Sequence, residues 1–115
     1  MSVTGCTRMP ELNIDVHPDV YKELENSRSW YEERAENLGT EFLNEVDRAV
    51  NSIQRSPTVW PWYDEHHHVR RFLIHRFPYA VIYRITSSGI QIIAVMHLRR
   101  HPDYWKDRVA YWSEK

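Results

Sequence analysis

At 115 residues the chain has room for one hydrophobic core and needs no metal or disulfide staple. Its single cysteine, Cys6, excludes an intrachain disulfide and fits a reducing, cytoplasmic setting; the longest apolar run, Ile92-Ile93-Ala94-Val95-Met96, is far too short to span a membrane. The net charge of −1 conceals an asymmetry: residues 1 to 57 carry 6 Lys/Arg against 11 Asp/Glu, residues 58 to 115 carry 9 against 5 with six of the seven histidines, so separate faces would suit different partners, one of them a polyanion.

Residues 1–11 read as a flexible N-terminus and residues 12–110 as one domain. Leu12-Asn13-Ile14-Asp15-Val16 alternates apolar and polar side chains, the period of a half-buried strand. His17-Pro18-Asp19 then opens a helix, with proline suited to the first turn and Asp19 and Glu23 to the positive end of the helix dipole. Val20, Leu24, Tyr31, Ala35 and Leu38 trace one apolar stripe. Asn37-Leu38-Gly39-Thr40 interrupts it, Gly39 being expected to take a left-handed cap conformation, before a second stripe begins at Phe42, Val46, Ala49, Val50 and Ile53. Two helices joined so tightly form an antiparallel hairpin, which Pro57 ends.

Trp60-Pro61-Trp62-Tyr63 reads as rings covering an open edge of the core, and Asp64-Glu65-His66-His67-His68 as a polar connection. Neighbouring histidines in an extended segment point in alternating directions, so no metal site is expected. From Arg70 onward the period becomes two: Arg71–Phe77, Tyr79–Ile85 and Ile90–His97 read as a three-stranded antiparallel meander, split by Pro78 and by Ser87-Ser88-Gly89. The last strand is apolar on both faces and belongs inside the sheet. The fold class is therefore α+β, a sheet of about four strands carrying a helical hairpin on one face. A short C-terminal helix through Tyr104, Trp105, Val109 and Trp112 follows Pro102 and Asp103, flanked by Glu114.

Three stretches carry a family resemblance. Trp30-Tyr31-Glu32-Glu33-Arg34-Ala35 with Leu38-Gly39-Thr40-Glu41-Phe42-Leu43 resembles the helical hairpin of RelE/ParE-type toxins. Arg70-Arg71-Phe72-Leu73 with Arg76-Phe77-Pro78-Tyr79-Ala80-Val81-Ile82-Tyr83-Arg84 is similar to the central signature of that superfamily, and Ile93–Trp105 to its ending. The resemblance implies the toxin half of a type II toxin-antitoxin pair, of the kind also described as plasmid stabilisation proteins, with a cognate antitoxin as partner and no cofactor. It implies two possible activities. RelE-like members cleave messenger RNA on the ribosome, whereas ParE-like members inhibit DNA gyrase by binding. A third reading keeps the fold as a non-toxic interaction domain.

Metal-free RNA cleavage needs a base, an acid and cations for the charged phosphorane. His97 or His75 could supply the base or acid, Tyr104 the acid, and Arg71, Arg76, Arg99 and Arg100 the positive charge. Arginine matches phosphate oxygens in a bidentate plane and histidine titrates near neutrality. The same four arginines serve equally as a target-binding surface. The weak net charge and the ParE-like central signature favour the gyrase reading over the ribonuclease.

Overall fold

A computed structural model describes residues 13–100 and 102–113; the expected N-terminal tail with Cys6, and also Leu12, His101 and Glu114, lie outside the described residues. The chain runs β1 (Ile14–Val16), α1 (Pro18–Arg34), α2 (Leu38–Arg55), β2 (Trp62–Asp64), β3 (Val69–Leu73), β4 (Tyr79–Thr86), β5 (Gly89–His97) and α3 (Lys106–Ser113). The sheet order is β1-β5-β4-β3-β2, antiparallel except that β1 runs parallel to β5.

The α+β order strand, hairpin, meander is as expected, with five strands where the sequence suggested about four. The added strand is β2, three residues long beside Pro61, a segment too short and too irregular to show a period. Trp60 still packs edge-on against Phe72, with ring centroids 4.6 Å apart. The stretch Arg71–Phe77 also breaks earlier than its composition suggests: β3 stops at Leu73, and Arg76 adopts φ 76 in the turn into β4.

Strand β5 organises the core because both of its faces are buried. On one face Ile90, Ile92 and Val95 join Val81 and Tyr83 of β4 beneath Val20, Phe42, Val46, Ala49 and Ile53 of the hairpin. On the other, Ile93, Ala94 and Met96 join Val69, Ala80 and Ile82 beneath Trp105, which is only 1% exposed. A bulge makes this possible: Ile82 faces Ala94 while Tyr83 faces Ile92, leaving Ile93 as an extra residue that shifts the alternation by one. The second apolar face requires a cover, and α3 with the turn before it supplies one.

In the hairpin it is Asn37, at φ 69, that takes the left-handed conformation expected of Gly39. Gly39 lies in the first turn of α2, where the helices come close, and a Cβ there would sit 2.5 Å from the Arg28 carbonyl oxygen. The Glu32 carboxylate accepts hydrogen bonds from the backbone N–H groups of Asn37 and Gly39 at 2.9 and 3.0 Å, closing the turn. Gly39→Ala should therefore lower the unfolding free energy by about 1 kcal/mol or more, although alanine is the better helix former by about the same amount. Urea titration reads the sign, and a stabilised variant would show that the hairpin has slack.

His17 joins β1 to α1. Its Nδ1 accepts the Asp19 N–H at 3.0 Å as the helix cap, and its ring meets Tyr111 and Trp112 of the C-terminal segment edge-on at 4.7 and 5.7 Å. Burial lowers its pKa below the ordinary 6.5, Arg108 adding to the effect while Asp19 and Glu23 oppose it. The unfolded chain then binds the proton more readily, so this contribution to stability is complete above pH 6.5 and declines as pH falls through that value toward the lower folded pKa. Denaturation midpoints at about pH 7.5 and about pH 5.5 should differ in that direction, and His17→Asn, which keeps an acceptor without a titrating proton, should reduce the difference.

Candidate functional site

The expected site residues fall around the corner where β5 ends. Tyr79 of β4 faces His97 of β5 in register, and the Leu98 N–H donates to the Pro78 carbonyl at 2.9 Å, so the chain leaves the sheet in a fixed direction. His97 Nδ1 accepts the Arg99 N–H at 3.0 Å, and the His97 carbonyl accepts the Arg100 N–H at 3.0 Å. An imidazole that accepts at Nδ1 carries its proton on Nε2. His97 is thereby a positioned donor.

Beside it lies an open groove of about 660 Å³, lined on the α1 side by Asn26, Ser27, Trp30 and Tyr31 and on the sheet side by Pro78, Tyr79, His97 and Arg99. Its floor is tied by the Ser27 hydroxyl, which donates to the Tyr79 hydroxyl at 2.9 Å, and by the edge-on packing of Tyr79 against His97 at 5.0 Å. The Arg99 side chain has no carboxylate within ion-pair distance among the described residues.

Arg100 and Tyr104 belong to a different arrangement, centred on Glu23. One Glu23 carboxylate oxygen accepts the Val95 N–H at 3.0 Å; the other accepts the Tyr104 hydroxyl at 2.6 Å and Arg108 Nη2 at 3.0 Å. Arg108 also donates to the Ile93 carbonyl at 3.1 Å, and Arg100 lies over the Tyr104 ring at 3.8 Å with its Nη1 3.9 Å from Glu23. Burial first, then the Glu23 carboxylate that holds its proton, push the Tyr104 phenol far above its usual pKa.

The remaining candidates stand apart. Arg71 reaches over the Tyr63 ring at 5.5 Å on the face that Trp105 covers. Arg76 pairs with Glu41 at 2.9 Å, and His75 lines a separate recess with Glu45, Arg48 and Phe72. In the histidine run, His67 packs edge-on to Trp105 at 6.0 Å, and among the described residues no three potential ligands converge as a metal site would require. No described helix is long and apolar enough to cross a membrane.

Sequence reasoning missed Glu23 as a hub, Arg108 as its partner, and the α1 wall of the groove. One signal was present. Glu23 is three positions after Val20 and one before Leu24, on the stripe that faces the sheet, where an unpartnered carboxylate is out of place.

The sequence profile of the ParE toxin family, described as the ParE toxin of the type II toxin-antitoxin system parDE, matches residues 14–102. The chain belongs to this family. A solved structure, the chromosomal ParDE TA system from P. aeruginosa, has the same fold at a TM-score of 0.68, with 14% identity and coverage of 76% of this chain and 97% of that chain. No curated protein matches the sequence. The ParE match stops at residue 102, so Tyr104, Trp105, Arg108 and α3 extend beyond the matched stretch.

In this ParE chain the Glu23–Arg108 pair is nearly enclosed, each side chain being 11% exposed. Removing one charge from such a pair strands the other, at a cost of about 3–5 kcal/mol, whereas losing one hydrogen bond to a charged group costs about 1.5–3 kcal/mol. Glu23→Gln should therefore destabilise the protein more than Tyr104→Phe, and adding Arg108→Leu to Glu23→Gln should recover part of the loss. Equilibrium denaturation of the three variants decides this, and a double variant less stable than Glu23→Gln alone would contradict it.

Proposed function

We propose that this chain arrests growth by binding its target without cutting a bond, and that the target is DNA gyrase. Support comes from the protons of the two groups best placed for catalysis. His97 would act as a base at Nε2 only after moving its proton to Nδ1 and giving up the hydrogen bond from Arg99. Tyr104 would act as an acid only by releasing the proton it shares with Glu23, and its environment opposes that release. Both groups already serve the framework. The arginines that remain at the corner, Arg99 and Arg100, suit electrostatic recognition of a partner surface.

The family membership and the ParDE title of the P. aeruginosa structure also support a cognate antitoxin for this chain. In this reading an acidic or amphipathic antitoxin segment covers the His97–Arg100 turn and extends to the more distant Arg71 and Arg76, ordering as it binds.

The test is a gyrase supercoiling assay run beside a translating extract. The purified protein should inhibit supercoiling and leave messenger RNA intact. Tyr104→Phe should inhibit as well as the parent, whereas Arg99→Ala with Arg100→Ala should lose inhibition while changing stability by no more than about 1 kcal/mol. Ribosome-dependent mRNA cuts, reduced about a hundredfold or more by Tyr104→Phe, would instead identify an endoribonuclease.

A further inference from the structure

The groove between α1 and the end of β5 combines features that the framework does not need. Trp30 is 51% exposed, with Arg34 stacked over its ring at 3.6 Å and the Tyr31 ring edge-on to it at 5.0 Å. The Asn26 side chain, a donor and an acceptor side by side, has no hydrogen-bond partner among the described residues. At the sheet end stand the Arg99 guanidinium and the His97 ring, whose proton is held on Nε2 by the bond at Nδ1. No carboxylate lines the groove, although α1 is rich in them. Arg28, Arg48, Arg76 and Arg108 each meet a carboxylate at 3.1 Å or less and Arg70 and Arg84 donate to carbonyl or amide oxygens, while the Arg99 side chain, like those of Arg55 and Arg71, meets neither among the described residues.

We propose that this groove is a nucleotide site. The base lies against the exposed part of the Trp30 indole with its edge on the Asn26 amide, and the phosphate sits between Arg99 and His97 Nε2. Aromatic faces accept any base by stacking, an asparagine amide matches the adjacent donor and acceptor of a base edge, and a guanidinium beside an imidazole N–H matches phosphate oxygens. A groove of about 660 Å³ falls in the range of small-molecule sites. An acidic peptide would also satisfy Arg99, but it offers no planar ring bearing donor and acceptor on one edge, so Trp30 and Asn26 favour the nucleotide. The nucleotide could be free or part of a single strand. The inference is independent of the target proposed above, since it concerns binding by the isolated chain.

The test is isothermal titration of the full-length protein with the four nucleoside 5′-monophosphates, the matching nucleosides, a single-stranded pentanucleotide and an acidic tryptophan-containing peptide. At least one monophosphate should bind one to one, about tenfold more tightly than its nucleoside. Arg99→Gln should bring the monophosphate down to the level of the nucleoside, and Trp30→Ala should weaken both by about tenfold. Both side chains are exposed, and an unchanged amide NMR spectrum outside the groove checks that each variant is folded. A pentanucleotide that binds more tightly than the monophosphate supports a strand as the source; equal or weaker binding supports a free nucleotide. Absence of saturation by every monophosphate and the pentanucleotide, equal affinity for nucleotide and nucleoside, or binding of the acidic peptide alone would each overturn the proposal.

Discussion

Much of this structure depends on how one open strand edge is closed. Strand β1 pairs with β5 only as far as Val16 opposite Ile92, and the His17 N–H adds one more bond to the Ile92 carbonyl. Beyond that point β5 would present unpaired backbone groups to whatever lies beside it, a costly state for a buried strand and an invitation to foreign pairing. Two side chains take over from the missing strand. Arg108 fills the Ile93 carbonyl, Glu23 fills the Val95 N–H, and the two then pair with each other. One ion pair thus completes the sheet and fastens both α1 and α3 to it. It also fixes the last turn of β5, and with it the direction in which His97, Arg99 and Arg100 leave the sheet.

This arrangement explains which parts of the fold were legible in the sequence. The hairpin and the meander are local: Phe42, Val46, Ala49 and Ile53 repeat at helical spacing, and the β4–β5 turn at Ser87-Ser88-Gly89 is marked by composition. The all-apolar run in β5 announced a strand buried on both sides. Its second cover was harder to see, because Tyr104, Trp105, Val109 and Trp112 have a weak helical pattern, and Tyr104 and Trp112 bond to side chains 81 and 97 residues away in the chain. No local period encodes such contacts. The three-residue β2 strand was hidden for the same reason, being held by its pairing with β3 rather than by its own pattern.

The site divides in the same way. His97 and Arg99 are two residues apart, and a turn after a strand brings them together whatever the rest of the fold does. Trp30 and Asn26 reach them only because α1 crosses the sheet at the level of Tyr79. Arg71 and Arg76 looked like partners of the same cluster, yet β-strand alternation sends Arg71 to the α3 face and the turn at Arg76 aims it at Glu41. Sequence proximity grouped His97 with Arg99 and Arg100. It could not say which groups were already spoken for.

The charge asymmetry along the chain has a related resolution. An acidic first half and a basic second half suggested two oppositely charged faces, but the fold sets the halves against each other: Glu41 meets Arg76, Glu23 meets Arg108, and Asp19 lies 3.9 Å from Arg108 Nε. Charges paired in this way contribute little long-range field, so recognition cannot rest on a broad basic surface. What remains is short-ranged and positional, carried by cations without internal partners. Among the described residues Arg99 is the cation that combines an open aromatic groove with the absence of an ion-pair partner, and the edge closure by Glu23 and Arg108 holds it there. The interaction that completes the sheet therefore has a functional consequence: it pairs Glu23 with Arg108 and leaves the Arg99 guanidinium at the corner without a carboxylate partner among the described residues, open to whatever the protein binds.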